Sequence, residues 1–447
     1  MKRGLGIFAV MVFVLTFVAG HVFAQTDKEY EAIKGQIEVL TEEIEKIKLG
    51  AVAEPEYKTF MGLGPAASKV YGVEKGFSIG GYGETIYQNY RHPSIKDFAD
   101  AYRFILYGGY KFNDWILMNT ELEFEHAGIK NVGGSTSGVT PAVSNSRTSE
   151  VYIEFSYLDF LLNPAFNLRT GLLLVPVGLI NEYHEPTVYH GVLRPDVEIN
   201  IIPTTWRDIG IMAYGKIGDV TYNMALMNGL RSDRLSSKDW IRGGRQQGAG
   251  VNADVWAMAG RVNYEPLSGL LVGGSYYIGK AGHGRGNDAD PLGSDEKEGT
   301  ADLFEVHAQY QLKGLHLRGL FASGSLDGNS ALESSPPGDV GKKAQGWYIE
   351  TAYDVLPHVY AASEMSLLPF VRYEDYDTHK EVFTGSPDPR QDRVTVTAGI
   401  GFKPHPNVVI KTDYQWRNTA SDLPEGKGAG LDEGKIDQFN LGIGFIY

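Results

Sequence analysis

The sequence predicts an all-β fold: a transmembrane barrel of about sixteen antiparallel strands, preceded by a short N-terminal coiled-coil helix. Segments in which apolar and polar residues alternate recur from residue 76 to the C terminus. Such a period of two is typical of strands with one apolar and one polar face. Short connections between these segments alternate with long polar ones, and residues 439–447 place a large apolar side chain at every second position.

The N terminus has the pattern of a secretory signal peptide. Residues 2 and 3 are basic, residues 5–18 are almost wholly apolar, and residues 22–24 form a small-x-small cleavage site before Gln25. We therefore predict removal of residues 1–24. The alternative, a membrane anchor, is disfavoured because the apolar run is shorter than the ~20 residues that a spanning helix needs.

Residues 25–50 predict a separate helix with a heptad seam. Its apolar side chains recur at spacings of three and four: Tyr30, Ile33, Ile37, Leu40, Ile44 and Ile47. Isoleucine at both seam positions favours assemblies of more than two helices. Two interpretations stay open, a trimeric coiled coil and an amphipathic helix that packs on its own chain. Residues 51–75, rich in Gly, Ala and Pro, predict a linker to the barrel, which spans residues 76–447.

Composition excludes several classes of protein and site. The chain has no cysteine, so disulfides and thiolate metal sites are excluded. Its 26 Tyr, 20 Phe, 6 Trp and 55 Gly fit a barrel with aromatic girdles at both membrane interfaces. The net charge of -14 argues against nucleic acid as a partner.

The connections favour a barrel over a soluble sandwich. Asn113-Asp114 joins two alternating segments directly, whereas residues 126–147 and 280–300 form long polar connections. Short turns at one end and long loops at the other are typical of transmembrane barrels, and a sandwich has no reason to segregate them. A barrel of this size is too wide for wall side chains to fill, which predicts an aqueous channel. We expect no apolar plug segment.

Several motifs resemble the phosphate-selective porin O/P family of Gram-negative outer membranes. They are RTGLLLVPVG at residues 169–178, EYHEP at 182–186, IPTTWRDIG at 202–210, LPFVRYE at 368–374 and VVIKTDY at 408–414. The resemblance implies a homotrimeric porin whose third loop, about residues 178–207, folds into the lumen as a constriction. It also implies contact with outer-membrane lipid and lipopolysaccharide and passage of small hydrophilic solutes or inorganic anions. An even number of strands brings both ends of the chain to the periplasmic side, which predicts a periplasmic N-terminal helix.

The candidate pore-lining residues carry both charges. The basic ones are Arg103, Lys111, Arg169, Arg194, Arg207, Arg261, Arg318, Arg372 and Lys411; the others are Glu121, Glu123, Glu154, Glu182 and His184. Opposite charges on different walls would produce a transverse field. The alternative, that many of these charges neutralise one another across neighbouring strands, stays open.

No catalytic residue, cofactor or metal is predicted. His184 and His190, with Glu182 and Glu185 nearby, are compatible with a metal, but loop spacing alone fixes no ligand geometry. The predicted function is therefore passive diffusion through a porin. The alternative is a barrel enzyme or adhesin with a plugged lumen and functional extracellular loops.

Overall fold

In the computed structural model, most of the predicted barrel is described. The described residues are 59–93, 95–127, 150–251, 253–283, 299–327, 340–360, 364–421 and 435–447. The predicted signal peptide, the heptad helix and the first part of the linker lie outside them. Within the described residues, no helix has the length and apolar character needed to cross a bilayer.

The described residues form one sheet of seventeen strands. The strands are β1 (Gly76–Tyr90), β2 (Phe98–Lys111), β3 (Ile116–Glu125), β4 (Glu150–Asn163), β5 (Phe166–Leu174), β6 (Arg207–Ile217), β7 (Val220–Asn228), β8 (Leu230–Arg231), β9 (Trp256–Leu267), β10 (Leu270–His283), β11 (Gly299–Leu312), β12 (Leu315–Asp327), β13 (Gly341–Tyr353), β14 (Ser366–Val382), β15 (Asp392–His405), β16 (Val408–Thr419) and β17 (Gln438–Ile446). The two-residue β8 pairs in parallel with β10. The other sixteen pair antiparallel and close into a barrel, which confirms the predicted fold class.

The C-terminal strand closes the barrel. β17 pairs with β1 from Tyr82 opposite Ile446 to Tyr90 opposite Gln438. Gly81 and Tyr447 extend this ladder, each donating its backbone N–H to the other's carbonyl at 2.9 Å. Because β1 also pairs with β2, no barrel strand is left with an open edge among the described residues.

The two faces of the wall differ in polarity. In β17, Leu441 and Ile443 are 41% and 49% exposed, whereas Asn440, which precedes Leu441, is fully buried. The same alternation runs through the other strands, so the apolar residues face outward and the polar ones inward. Connections such as residues 218–219 and 313–314 lie at one end, here the short-turn end, together with the longer connection 354–365. The longest connections, among them residues 175–206, lie at the other end, the long-loop end.

Three chain segments pack inside the barrel. They are the N-terminal segment (residues 59–72), the third loop (residues 175–206) and the fourth loop (residues 229–251 and 253–255). A Cβ added at Gly442, on the inner face of β17, would lie 2.9 Å from Val192 of the third loop. The third loop contains one short helix, α1 (Asp196–Asn200).

The apolar core lies where these three segments meet one another and the wall. It includes Leu63, Val197, Trp206 and Trp240, each at most 1% exposed. The expectation that no apolar plug segment exists is therefore wrong: Leu63 belongs to the N-terminal segment. The small residues that flank Leu63 allow the segment to pack closely against the wall. From composition alone, the same small residues predict a linker.

Candidate functional site: the barrel lumen

Basic wall residues hold the third loop through its backbone carbonyls. Lys411 Nζ donates to the carbonyls of Tyr189 at 2.7 Å and Gly191 at 2.9 Å. Arg318 Nη2 donates to the carbonyl of Val188 at 3.0 Å. Two of the predicted pore-lining cations therefore anchor the loop.

Acidic wall residues hold the same loop through its N–H groups. Asp413 accepts from the N–H of Val192 at 2.6 Å, and Glu374 accepts from that of Val197 at 3.2 Å. These contacts come from β16 and β14. Since Tyr189 also donates its hydroxyl to Glu84 of β1, the loop is fixed to well-separated parts of the wall and crosses the lumen.

The N-terminal segment joins the third loop to β3 and β4. Glu185 Oε1 accepts from the N–H groups of Ala66 at 2.9 Å and Ala67 at 3.1 Å. Asn119 donates to the carbonyl of Ala67 at 2.9 Å, and Tyr71 donates to Asp159 at 2.6 Å. Burial raises the pKa of Glu185 to about 7, because the interior disfavours a charged carboxylate.

Most of the predicted cations on the wall pair with buried carboxylates. Arg372 lies 2.6 Å from Glu374 and 3.1 Å from Glu350, and Arg318 shares Glu350 at 3.7 Å. The remaining pairs are Arg103 with Glu84 at 3.0 Å, Arg169 with Asp159 at 3.0 Å, and Arg261 with Glu182. Mutual neutralisation, left open by the sequence, accounts for these residues.

Lys111 lies apart from the other candidates. Its Nζ donates to the carbonyl of Val73 at 2.9 Å at the short-turn end, where its side chain is half-buried. It therefore holds the chain entering β1.

A cavity of about 460 Å³ on the long-loop side has a cluster of arginines in its lining. Six arginines and two glutamates line it: Arg103, Arg194, Arg207, Arg242, Arg245 and Arg417, with Glu125 and Glu150. We call it the arginine cavity. Its arginines come from two loops and three strands, and they meet only because the third and fourth loops fold inward.

Three of these arginines have no carboxylate partner among the described residues. Arg245 Nη1 donates to the carbonyls of residues 203–205 at 3.1 to 3.2 Å. Arg242 Nη1 donates to the carbonyls of Ile199 and Thr204, and Arg194 Nη2 to that of His184. Burial and the neighbouring Arg242 lower the pKa of Arg245. Carbonyls carry no net charge, so the cavity retains an excess of positive charge.

Sequence reasoning missed Arg242 and Arg245. Both lie in the fourth loop, outside every alternating segment and every motif used above. Their only signal was a local excess of basic residues between Arg231 and Arg245, which an exposed loop also explains.

A second cavity, of about 420 Å³, lies toward the short-turn end. Its lining includes Phe60 of the N-terminal segment, Tyr183 of the third loop, and Arg261 and His307 of the wall. The third loop lines both cavities and so lies between them.

His184, Glu121 and Glu154 meet in a fully buried cluster. His184 Nε2 lies 3.5 Å from Glu121 Oε1 and 3.8 Å from Glu154 Oε2. Glu123 lies 3.9 Å from Arg103, and Arg207 lies 3.8 Å from Glu154. The grouping considered from sequence does not form, because Glu182 pairs with Arg261 and the ring of His190 lies 5.3 Å from that of His316.

Comparisons with solved structures show a shared fold. The barrel is similar to OmpF of Salmonella typhi in complex with daunomycin, with a TM-score of 0.54 and 13% identity over 84% of this chain and 98% of that one. It is similar to OmpT, an outer-membrane protein of Vibrio cholerae, with a TM-score of 0.51 and 12% identity over 84% and 98%. It is also similar to the outer-membrane channel DcaP of Acinetobacter baumannii, with a TM-score of 0.50 and 11% identity over 83% of this chain and 97% of that one. The chain thus has the fold of outer-membrane porins.

No protein-family profile matches the chain, so the resemblance to phosphate-selective porins stays a prediction. An uncharacterized protein of Aquifex aeolicus (strain VF5) is 38% identical over 381 residues, which cover 83% of this chain and 82% of the relative. Identity at this level over most of both chains shows common descent. The chain belongs to the same family as this Aquifex aeolicus protein.

Proposed function

We propose that the protein is an outer-membrane porin through which small hydrophilic solutes and ions diffuse passively, with a preference for anions. The arginine cavity carries this proposal, since six guanidiniums and two carboxylates line it. Rings of charged side chains set the ionic preference of a pore. A guanidinium also matches phosphate or carboxylate with two parallel donors, so inorganic anions are the proposed solutes. We propose no enzymatic activity.

The third loop is the proposed constriction. Its anchors on β1, β12, β14 and β16 support a fixed path across the lumen, and it lies between the two cavities. A solute that enters the arginine cavity must pass this loop to reach the short-turn end. Selection at the loop would therefore decide passage.

The proposed location is the Gram-negative outer membrane. The apolar outer face suits lipid, and the long-loop end would face lipopolysaccharide. The short-turn end and the predicted helix at residues 25–50 would then lie in the periplasm. A homotrimer is proposed from the family resemblance and the heptad seam.

Selection is assigned to unpaired rather than paired cations. The wall arginines implied by the resemblance, such as Arg318 and Arg372, already neutralise Glu350 and Glu374. Arg194, Arg242 and Arg245 have only backbone partners among the described residues. These three are the proposed anion contacts.

Planar lipid bilayers test this function. The purified protein should give stepwise conductance, three equal closing steps for a trimer, and a reversal potential of anionic sign in a potassium chloride gradient. Absence of conductance would reject the channel, and a cationic sign would reject the anion preference.

The second candidate is a barrel enzyme or adhesin with a plugged lumen. The buried N-terminal segment favours it, because Leu63 and its neighbours fill space that a wide pore would leave to water. Phospholipid or peptide hydrolysis, or cell binding, without conductance would support this alternative.

A further inference from the structure

We propose that Glu121, Glu154 and His184 form a binding site for one divalent transition-metal ion, of which Zn²⁺ is the representative. The site lies where the third loop meets β3 and β4. The three potential ligand atoms lie within 4.8 Å of one another, and all three side chains are buried. Carboxylate oxygens and one imidazole form a ligand set that Zn²⁺ accepts.

The spacing suits a bound ion. Ligand atoms at 2.0 to 2.1 Å from tetrahedral Zn²⁺ are about 3.4 Å apart. His184 Nε2 lies 3.5 Å from Glu121 Oε1 and 3.8 Å from Glu154 Oε2. These distances exceed a hydrogen bond, and small rotations of the side chains would bring all three atoms to an ion at their centre.

The potential ligand atoms also lack other partners. His184 Nε2 and both carboxylate oxygens of Glu121 and Glu154 are buried without a hydrogen-bond partner among the described residues. Buried polar atoms normally have hydrogen-bond partners, and binding of an ion is one accepted reason for an exception. Arg207 forms a long ion pair with Glu154, at 3.8 Å from Nη1, but donates no hydrogen bond to it, because its Nη2 donates to Gln247.

His184 is oriented for metal binding. Its Nδ1 lies 2.8 Å from the carbonyl of Asn181, so Nδ1 carries the proton and Nε2 presents a lone pair to the carboxylates. Metal-binding histidines usually make this kind of contact through the other ring nitrogen.

A β-bulge brings Glu154 into the cluster. The register of β3 and β4 shifts between Glu121, opposite Phe155, and Leu122, opposite Ile153, which leaves Glu154 as the extra residue. Glu154 and Phe155 are both buried although they are consecutive in a strand. Bulges re-aim side chains at functional positions. Here the bulge places Glu154 beside Glu121.

The charges match a divalent ion. Two carboxylates this close repel each other unless they share a proton or bind a cation. Glu123 lies on the same face of β3, two residues from Glu121, and adds negative charge. The bound ion would join the third loop to the wall.

Zn²⁺ binding to the mature full-length protein tests the site. Protein folded in detergent and stripped with a chelator should bind one Zn²⁺ per chain at this site by isothermal titration calorimetry. His184→Gln removes a ligand and should weaken that binding by more than the roughly 10- to 100-fold that loss of an outer-shell partner costs, and the double variant Glu121→Gln/Glu154→Gln should abolish it. Unchanged binding in these variants would overturn the proposal.

His307→Gln is the matched control. His307 is also a buried histidine beside a carboxylate, but its Nδ1 contacts Glu305 at 2.6 Å and its Nε2 contacts Asn263 at 3.0 Å. Both ring nitrogens are occupied, so this variant should bind Zn²⁺ as the wild type does. Loss of binding in His307→Gln would place the ion elsewhere and reject the assignment.

Anomalous scattering at the zinc edge gives a test that does not depend on variants. Crystals of the wild-type protein soaked in Zn²⁺ should show a peak between His184 and the two glutamates. No peak there, or peaks only at exposed side chains, would mean that the cluster holds a shared proton and not a metal.

Discussion

Neutralising Arg242 and Arg245 should reduce anion selectivity. A sphere with the volume of the arginine cavity, about 460 Å³, has a radius of about 5 Å, so an ion at its centre lies roughly 6 Å from each guanidinium. Two unit charges at that distance interact by about 0.7 kcal/mol in water and about 3 kcal/mol at an effective dielectric constant of 20. We take about 1 kcal/mol as the interaction energy between the ion and each arginine. The double variant Arg242→Gln/Arg245→Gln should then lower the anion-to-cation permeability ratio by roughly tenfold or more.

The assay is the reversal potential in a salt gradient, measured at low ionic strength because salt screens the effect. Arg242→Lys/Arg245→Lys is the control, since it keeps both charges but loses the guanidinium hydrogen bonds to the third loop. The lysine variant should retain most of the anion preference. Equal permeability ratios in the wild type and the glutamine variant would refute the electrostatic role of the cavity, and equal losses in both variants would assign the effect to loop position.

Three further outcomes are expected. Deleting residues 59–72 should raise single-channel conductance, because the segment fills the lumen; an unchanged conductance would show that it does not obstruct the path. Arg372→Ala should lower the free energy of unfolding in urea by about 3 to 5 kcal/mol, since Glu350 and Glu374 lose their shared guanidinium; a loss below 1 kcal/mol would contradict this. Burial lowers the pKa of His190 to about 3, below its ordinary value near 6.5, so the unfolded chain binds the proton first and stability should fall as the pH drops from 6.5 toward 3. Between pH 7.5 and pH 5, the free energy of unfolding of the wild type should fall by up to about 2 kcal/mol more than that of His190→Asn. If urea unfolding gives the same pH dependence for both proteins, His190 does not have this role.

The wall could be predicted from sequence because lipid and lumen impose opposite polarities on alternate residues. Each strand shows this pattern by itself, as Leu441, Asn440 and Ile443 do in β17. The loop-length alternation added the antiparallel order. The alternation of polarity and the loop lengths can both be read from short stretches of sequence, without knowing which residues contact each other in the fold.

The contents of the lumen could not be predicted in the same way. The N-terminal segment contains Gly62, Gly64, Ala66 and Ala67, and small residues indicate either a flexible linker or close packing. Its actual partner, Glu185, lies more than a hundred residues away. The proximity of Glu154 to Glu121 depends on a β-bulge in β4. The alternation of apolar and polar residues does not reveal this bulge. Contacts of this range are set by tertiary packing, which outweighs local preference.

The pairing of β1 with β17 has a consequence for the order of folding. The two strands are separated by almost the entire barrel sequence, so their ladder is the contact of largest loop-closure cost and forms late. Until it forms, β1 and β17 each expose an unpaired edge that can add strands from another chain. A chain cut before residue 439 would retain two open edges and would be prone to aggregate.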